Sequence, residues 1–207
     1  HMQQGRLARP AAAHAGHATA MRPIRHQRAE TAPVATVTDH MPVVRVTDVS
    51  CYVRPWEGGY SYGFFEPAPE HVEIESKPAD FATSDIEPPV DVLAEARRRL
   101  APVFPTLTDL DVTAYRRGMT TFAPDGAYVI GPAPGVKGLF IATGCAALGI
   151  AGSAAVGRWL ANWAVNGDPG DDLSAFAPDR FGDRASDGEW LRAASSEYYS
   201  TYYAIRD

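Results

Sequence analysis

The stretch LFIATGCAALGIAGSAAVGRWLANW, residues 139–163, decides the fold class of this chain of 207 residues. A short apolar run predicts a strand that ends at Thr143. The small-residue run over residues 149–166 predicts a mostly buried helix, and Gly167 beyond it predicts the stop. Between the two elements, Gly144 and Gly149 permit positive φ and close approach of another group to the backbone. A strand, a glycine-rich loop and a helix in this order predict a cofactor site at the start of the helix.

The loop itself limits the chemistry of that cofactor. Residues 144–150 carry no charge and little bulk, and the helix that follows has free N–H groups and a positive dipole end. A phosphate would also recruit Lys or Arg, which the loop lacks. A neutral ring that gains negative charge, such as a reduced flavin at its N1–C2=O2 edge, fits better. These residues alone leave a purely structural strand–loop–helix unit open as the alternative.

Composition excludes several classes of function. The net charge is -6 and no basic stripe is present, so we expect no nucleic-acid partner. No apolar run approaches the roughly 20 residues that span a membrane, and we expect no membrane partner and no signal peptide. Cys51 and Cys145 lie far apart, so a disulfide framework and a metal site are not expected. A cytoplasmic protein with two buried thiols is the default expectation.

Two runs before residue 66 predict a β-hairpin. Residues 50–54 and 60–65 are rich in Val, Tyr and Phe, and a Gly-Gly pair lies between them. Alternation puts Tyr60, Tyr62 and Phe64 on one face of the hairpin. Further along, residues 90–105 predict a helix that prolines end. Its arginine run, residues 97–99, is either a phosphate patch or a solvated helix face, and the face near the helix end is favoured.

The C-terminal half predicts strands separated by turns at Pro124-Asp125-Gly126 and at residues 132–135, followed by a last helix near residues 189–203. Tyrosines of this last helix form a patch that suits packing against a neighbouring domain or subunit. Residues 1–20 predict a flexible arm with a cloning remnant at its start. The elements together predict an α+β fold with an antiparallel or mixed sheet.

Several motifs in order resemble one family. They are Ala123-Pro124-Asp125-Gly126 running to Gly131-Pro132, the loop from Gly144 to Gly149, Gly167-Asp168-Pro169, Asp172-Leu173 and Arg180-Phe181. This pattern resembles the C-terminal flavin-binding segment of the D-amino-acid-oxidase-like FAD-dependent amine oxidoreductases, and is most similar to the dimethylglycine and sarcosine dehydrogenases. The resemblance covers roughly residues 21–207.

The resemblance implies a domain organisation. Residues 21–115 would form a substrate-binding β-sheet domain with one helix, residues 116–181 the C-terminal part of an FAD-binding domain, and residues 182–207 a helical tail. The family's G-x-G-x-x-G motif for the ADP half of FAD does not occur in this sequence. We therefore predict a small subunit of a split flavoenzyme, completed by a separate Rossmann-domain FAD-binding subunit that shares the FAD.

The resemblance also implies site residues for hydride transfer from the C–H beside an amine nitrogen to flavin N5. The cofactor-binding candidates are Pro124, Asp125, Gly126, Ile130, Gly144, Cys145, Ala146, Ala147, Leu148, Gly149 and Ile150. The candidates that face a small amine or amino-acid substrate are Tyr60, Tyr62, Arg116 and Arg117. Packing is the alternative for the tyrosines and pairing with local acids is the alternative for the arginines. His26 is expected to be a satisfied structural histidine on a strand.

Departures from the family refine these expectations. A covalent flavin cysteine would fall near Gly118, so we expect FAD that is not covalently attached to this chain. The family's carboxylate-binding lysine after the glycine loop corresponds to Ala151, which favours an amine over a simple amino acid. Two other interpretations stay open: a non-catalytic pseudoenzyme or scaffold subunit that binds no flavin, and a fragment of a longer protein.

Overall fold

The computed structural model describes residues 19–204. The predicted flexible arm therefore lies almost wholly outside the described residues. The elements within them are β1 (Arg22–Thr31), β2 (Val44–Val46), β3 (Cys51–Trp56), β4 (Gly59–Phe64), α1 (Val90–Leu100), β5 (Val112–Phe122), β6 (Val129–Pro132), β7 (Phe140–Thr143), α2 (Gly149–Asn166) and α3 (Gly188–Ser200). This mixture of helices and strands agrees with the predicted α+β class.

A five-stranded sheet with the order β2-β3-β4-β1-β5 is the main framework. β3 and β4 form the predicted hairpin, with Val53 opposite Tyr62 and Arg54 opposite Ser61, and β4 also pairs antiparallel with β1. The two-residue connection has left-handed backbone at Glu57 (φ 48°) and Gly58 (φ 78°), the geometry that matches the twist of hairpin strands. A second, two-stranded antiparallel sheet joins β6 and β7.

The chain forms two compact units. The first unit contains residues 19–24, 70–77 and 119–199 of the described chain, and the second contains residues 25–69, 78–118 and 200–204. β1 and β5 contribute residues to both units. The chain changes from the second unit to the first after Gly118, and α3 up to Tyr199 and residues 70–77 belong to the first unit.

The core of the second unit lies between the sheet and α1. Tyr62 and Phe64 of β4 pack there with Leu93, Ala96 and Leu100 of α1. These helix positions recur at i, i+3 and i+7, so one stripe of α1 faces the sheet. The opposite side is solvated: Arg98 and Arg99 both pair with Glu95 at 2.7 Å. Of the arginine run, Arg98 is 75% exposed, as favoured from the sequence, whereas Arg97 donates to the Leu110 carbonyl and the Arg99 guanidinium lies 4.9 Å from the ring centroid of Phe64.

The first unit has its own core. Phe122 is fully buried, and the ring of the buried Tyr199 in α3 meets it edge to face at 5.5 Å. The hydroxyl of Ser195 donates a hydrogen bond to the Phe122 carbonyl at 3.0 Å. In the second unit, Tyr202 stacks on Phe65 at 4.4 Å. The C-terminal tyrosines thus pack within this chain and do not need a neighbouring subunit.

The prediction for α2 is confirmed in its bounds and wrong in its burial. The helix spans Gly149–Asn166 and ends at Gly167, which takes the left-handed conformation. Yet no residue of α2 is buried, and Ile150 and Val165 are 89% and 82% exposed. The prediction fails because no described element covers one side of the helix. That side, here named the small-residue stripe, consists of Ile150, Ala154, Gly157, Ala161, Ala164 and Val165, all exposed.

No helix in the described part of the chain combines the length and apolarity that a membrane crossing requires.

Candidate functional site

The glycine loop between β7 and α2 is held in an unusual backbone conformation. Gly144 (φ 67°), Ala146 (φ 43°) and Ala147 (φ 64°) are all left-handed. For an alanine this conformation costs roughly 1–2 kcal/mol, so surrounding contacts must impose it. The Ala146 N–H donates to the Thr121 carbonyl at 2.9 Å, and the Leu148 N–H donates to the Cys145 carbonyl at 2.7 Å. These hydrogen bonds therefore hold the backbone of the loop in its left-handed conformation.

Tyr128 fixes the start of α2. Its hydroxyl donates a hydrogen bond to the Leu148 carbonyl at 2.7 Å. A Cβ at Gly152 would lie 2.3 Å from that hydroxyl oxygen, so the approach of Tyr128 requires glycine at this position. The sequence offered no indication of this tyrosine, because its partner is a carbonyl twenty residues away that only the fold brings close.

The chemistry of the loop suits a neutral, electron-rich group. In an α-helix the first N–H groups have no partner within the helix, and the Ile150 side chain at the start of α2 is 89% exposed. Cys145 is a half-buried free thiol. Within residues 19–204 no cluster of three or more His, Cys, Asp or Glu side chains suits a metal ion. The loop thus presents backbone donors without a charged side chain, which fits the pyrimidine edge of a flavin.

The turn at Pro124-Asp125-Gly126 is confirmed and is clamped by Arg180. Arg180 pairs with both carboxylate oxygens of Asp125, at 2.8 and 2.9 Å, and Asp125 also accepts the Ala127 N–H at 3.0 Å. Asp125 therefore holds the turn to the chain that follows α2. Of the other predicted residues nearby, Ile130 is fully buried in β6, so its side chain supports the turn from the core.

The predicted substrate-facing tyrosines lie on the covered face of the hairpin. Tyr62 is 1% exposed and packs among the core residues of the second unit, and Tyr60 meets Phe104 edge to face at 6.2 Å. The physical reason is that α1 covers this face of the sheet. The structure therefore supports the packing alternative for both tyrosines. The predicted alternation of side chains between the two faces of the hairpin is confirmed, but alternation alone does not show which face α1 covers.

The opposite face of the hairpin carries an aromatic and polar group that the sequence analysis missed. The Nε2 atom of His26 and the hydroxyl of Tyr52 are hydrogen-bonded at 3.2 Å, and the ring of Phe65 lies 4.5 Å from that of His26. A Cβ at Gly63 would lie 2.2 Å from the Tyr52 hydroxyl. Gly63 thus lets Tyr52 lie flat across the neighbouring strand and reach His26.

Burial keeps this pair uncharged. It lowers the pKa of His26 to about 4 and raises the pKa of Tyr52 to about 12. Both groups are therefore neutral near pH 7 and can exchange a hydrogen bond without net charge. His26 has a hydrogen-bonded partner on a strand, as expected, and it lies on the face of the sheet opposite α1, where Tyr202 and Tyr203 pack against Phe65.

The predicted arginines have protein partners. The Nε of Arg116 donates a hydrogen bond to Oε2 of Glu30 at 3.0 Å, the same two side chains form an ion pair, and Glu30 is 4% exposed. Arg117 donates to the carbonyls of Ile86, at 2.7 Å, and of Ser84. Arg117 therefore fixes a turn of backbone, and Arg116 follows the alternative of pairing with a local acid while its own side chain stays 59% exposed.

A cavity of about 460 Å³ lies in the first unit, and Ile130, one of the predicted cofactor-binding residues, is among its lining residues. Its lining includes Trp163 near the end of α2, Leu173, and three acids, Asp171, Asp172 and Asp179. Because α-helices rise 1.5 Å per residue, Trp163 lies about 20 Å along α2 from the glycine loop. The cavity is thus separate from the loop.

Comparison with known protein families gives one match over most of the chain. Residues 5–163 match the DAO family, described as FAD dependent oxidoreductase. This range includes the hairpin, the turn at Pro124-Asp125-Gly126, the glycine loop and most of α2.

Curated relatives are longer proteins. The chain is 27% identical over 201 residues to 4-methylaminobutanoate oxidase (formaldehyde-forming) of Paenarthrobacter nicotinovorans, covering 97% of the chain and 24% of that protein. It is 26% identical over 186 residues to mitochondrial dimethylglycine dehydrogenase of Mus musculus, covering 86% of the chain and 21% of that protein. A third relative is the mitochondrial pyruvate dehydrogenase phosphatase regulatory subunit of Mus musculus, 27% identical, with 80% and 19% covered. The chain thus spans about a quarter or less of these relatives.

Solved structures show the same fold. L-proline dehydrogenase from P. horikoshii superposes with a TM-score of 0.65 at 23% identity, covering 82% of this chain and 43% of that one. Glycine oxidase from Geobacillus kaustophilus gives a TM-score of 0.62 at 18% identity, with 82% and 42% covered.

Proposed function

Because this chain belongs to the DAO family of FAD-dependent oxidoreductases, we propose that it is part of an enzyme that oxidises a small amine or amino acid. The second unit would supply the substrate-binding sheet, and the first unit the loop beside the isoalloxazine ring. The names of two relatives, a 4-methylaminobutanoate oxidase and a dimethylglycine dehydrogenase, support an N-methylated amine as the substrate class.

The observation that carries this proposal is the combination of a rigid loop and an uncovered helix. The three left-handed residues of the loop hold its backbone at the start of α2, and the small-residue stripe of the same helix has no cover among the described residues. Small residues permit close approach of another backbone. α2 therefore has the properties of a helix that packs inside a larger FAD-binding domain.

The loop residues of this chain would have a defined role in the proposed oxidation. FAD, when bound, would accept the hydride from the C–H beside the substrate nitrogen. The N–H groups at the start of α2, with Gly144, Cys145, Ala146, Ala147, Leu148, Gly149 and Ile150 around them, would donate toward the electron-rich edge of the ring. No side chain of this loop is charged, so stabilisation would come from backbone dipoles.

His26 and Tyr52 are the substrate-facing pair that we propose in place of the covered tyrosines. Both are neutral near pH 7 because of burial. A neutral pair does not stabilise an ammonium group as a carboxylate would, so it favours the unprotonated amine that hydride loss requires. Phe65 beside His26 would help to exclude water from the reacting carbon.

The exposure of the small-residue stripe of α2 is the basis for the proposed partner subunit. We propose that a separate Rossmann-domain subunit binds the ADP half of FAD and packs on the small-residue stripe, so that FAD is shared and not attached covalently to this chain. The two free cysteines are consistent with the expected cytoplasmic location.

Purification from the native host tests this proposal. We expect the tagged chain to bring down a protein with a flavin absorbance spectrum. Ala154→Glu, in the middle of the stripe, should abolish capture because it would bury a charge in the contact. Ala94→Glu, on the exposed side of α1, is the matched control and should not. A colourless monodisperse monomer would contradict the proposal, and a longer native chain that carries the G-x-G-x-x-G motif would place the ADP half on the same chain.

One observation favours a second candidate function. A relative with 27% identity is described as a regulatory subunit of a phosphatase, which fits a scaffold or pseudoenzyme that keeps the fold and binds no flavin. The same purification separates the two candidates. A complex that forms through the stripe but shows no flavin absorbance supports the regulatory role.

A further inference from the structure

Phe65 is buried on the face of the five-stranded sheet that lies opposite α1. It follows β4 directly and is only 2% exposed. Two tyrosines pack against its ring. The ring of Tyr202 stacks on it at 4.4 Å with an interplanar angle of 18°, and the ring of Tyr203 meets it edge to face at 5.1 Å. Residues 201–204, here named the C-terminal strap, therefore cover this face of the sheet where Phe65 lies.

The C-terminal strap lies beside the hydrogen-bonded pair of His26 and Tyr52. The ring centroids of these two side chains lie 4.5 and 6.5 Å from that of Phe65, so they and the strap tyrosines form one aromatic cluster. Burial raises the pKa of Tyr203, and the nearby Tyr52 contributes in the same direction. The strap tyrosine is thus withdrawn from water next to the polar pair.

The strap and the helix before it are held in different parts of the molecule. Tyr199, near the end of α3, is fully buried and packs on Phe122 in the first unit. α3 ends at Ser200, and the chain after Tyr199 belongs to the second unit. The strap is a turn, in which the Ala204 N–H donates to the Thr201 carbonyl at 2.9 Å. A turn that follows an anchored helix end can move by rotation at a few backbone positions while the helix stays in place.

The ring contacts of the strap are of a kind that permits local opening. Besides the two contacts with Phe65, the guanidinium carbon of the exposed Arg45 lies 5.4 Å from the ring centroid of Tyr203. Aromatic pairs and exposed cation–π contacts each add only a modest stabilisation. A segment held in this way opens at a smaller free-energy cost than the strands and helices of the core.

The stacked rings also determine how another molecule can approach the pair. Since Tyr202 lies flat on Phe65 at 4.4 Å, a molecule that approaches from this side must first displace the tyrosine. We propose that the C-terminal strap opens and closes over the His26–Tyr52 pair and so controls the access of small neutral molecules to it. That such a molecule is an amine substrate rests on the proposed oxidase, whereas the motion itself requires no flavin.

Nuclear magnetic resonance of the full chain without flavin tests the motion. Lid opening occurs on a timescale that relaxation dispersion detects, so the ring protons of His26 should show exchange with an open state populated at about 1–10%. Tyr202→Phe keeps the stacked ring and should keep this exchange. The ring protons of His71, in the first unit, should not show exchange at the same rate.

Chemical modification of His26 tests the access. Diethyl pyrocarbonate reacts with neutral imidazole, and the modified positions can be mapped by mass spectrometry at pH 7. Tyr202→Ala should raise the rate of modification at His26 about fivefold, because the stack that closes the strap is lost. Trp190→Ala is the matched control. It removes a ring that packs on Phe181 in the first unit, and it should leave the rate at His26 unchanged.

The two measurements give opposite results if the strap is static. Exchange at His26 together with faster modification in Tyr202→Ala supports the proposal. Absence of exchange at His26, or equal rates of modification in Tyr202→Ala and the unmodified chain, would overturn it. Tyr202→Leu keeps apolar volume without a stacked ring and carries the modification test if Tyr202→Ala fails to fold. A strap that opens in a chain that never acquires flavin would support this inference while the proposed oxidase fails.

Discussion

At the scale of single residues, the neutral state of His26 links stability to pH. Its pKa is about 4 in the folded chain and about 6.5 in an unfolded one. Between these values the unfolded state binds more protons, so the contribution of His26 to stability is full above pH 6.5 and is lost as the pH falls toward 4. We expect the free energy of unfolding to fall by about 1–2 kcal/mol from pH 7 to pH 5 through this residue.

Urea unfolding of His26→Gln at both pH values measures this contribution. The variant should lose less stability between pH 7 and pH 5 than the unmodified chain does. His71, whose pKa burial also lowers to about 4, remains in both proteins and leaves a shared decrease. His40→Gln, at an exposed loop position, should keep the full pH dependence. Equal pH dependence in all three proteins would contradict burial of His26 as a neutral group.

At the scale of elements, the turn before β6 depends on a glycine for two reasons. Gly126 has φ 68°, and a Cβ there would lie 1.9 Å from Cζ of Tyr198. Gly126→Ala therefore adds backbone strain of roughly 1–2 kcal/mol and a clash of roughly 1–3 kcal/mol. We expect a loss of about 3 kcal/mol in the free energy of unfolding, measured by urea titration.

Gly138 provides the control for this prediction. It also has a positive φ, 82°, but a Cβ there would meet nothing within 4 Å. Gly138→Ala should therefore cost only about 1 kcal/mol, the backbone term alone. If the two variants lost equal stability, the packing of Tyr198 on the turn would not be the source of the difference.

The helices and strands also show which features of the fold could be predicted from the sequence. The bounds of α2 followed from its small-residue run and from Gly167, because these are local properties. The two faces of the hairpin followed from alternation, but the covered face depends on where α1 packs. The left-handed Ala146 and Ala147 could not be predicted, since the contact that imposes them comes from β5 through Thr121. Tyr52, which the sequence analysis did not single out, and His26, which it expected to be structural, come from two strands and meet only across the sheet.

At the scale of the whole molecule, the small-residue stripe predicts a difference between the chain alone and its complex. In the chain alone, Ala154→Glu should leave the midpoint of thermal unfolding nearly unchanged, because an exposed substitution disturbs no packing. In the proposed complex, the same variant should fail to assemble, as measured by size-exclusion chromatography. A large loss of stability in the isolated variant would show that the stripe is already covered within the chain.

The exposure of the small-residue stripe of α2 in the isolated chain also has a consequence in the cell. Copies made in excess of the proposed Rossmann-domain subunit would expose apolar surface. They would either aggregate or be degraded by quality-control proteases. The abundance of this chain should then follow the synthesis of that subunit. Deleting the gene of the subunit should lower the amount of this chain, while the messenger RNA that encodes this chain stays constant.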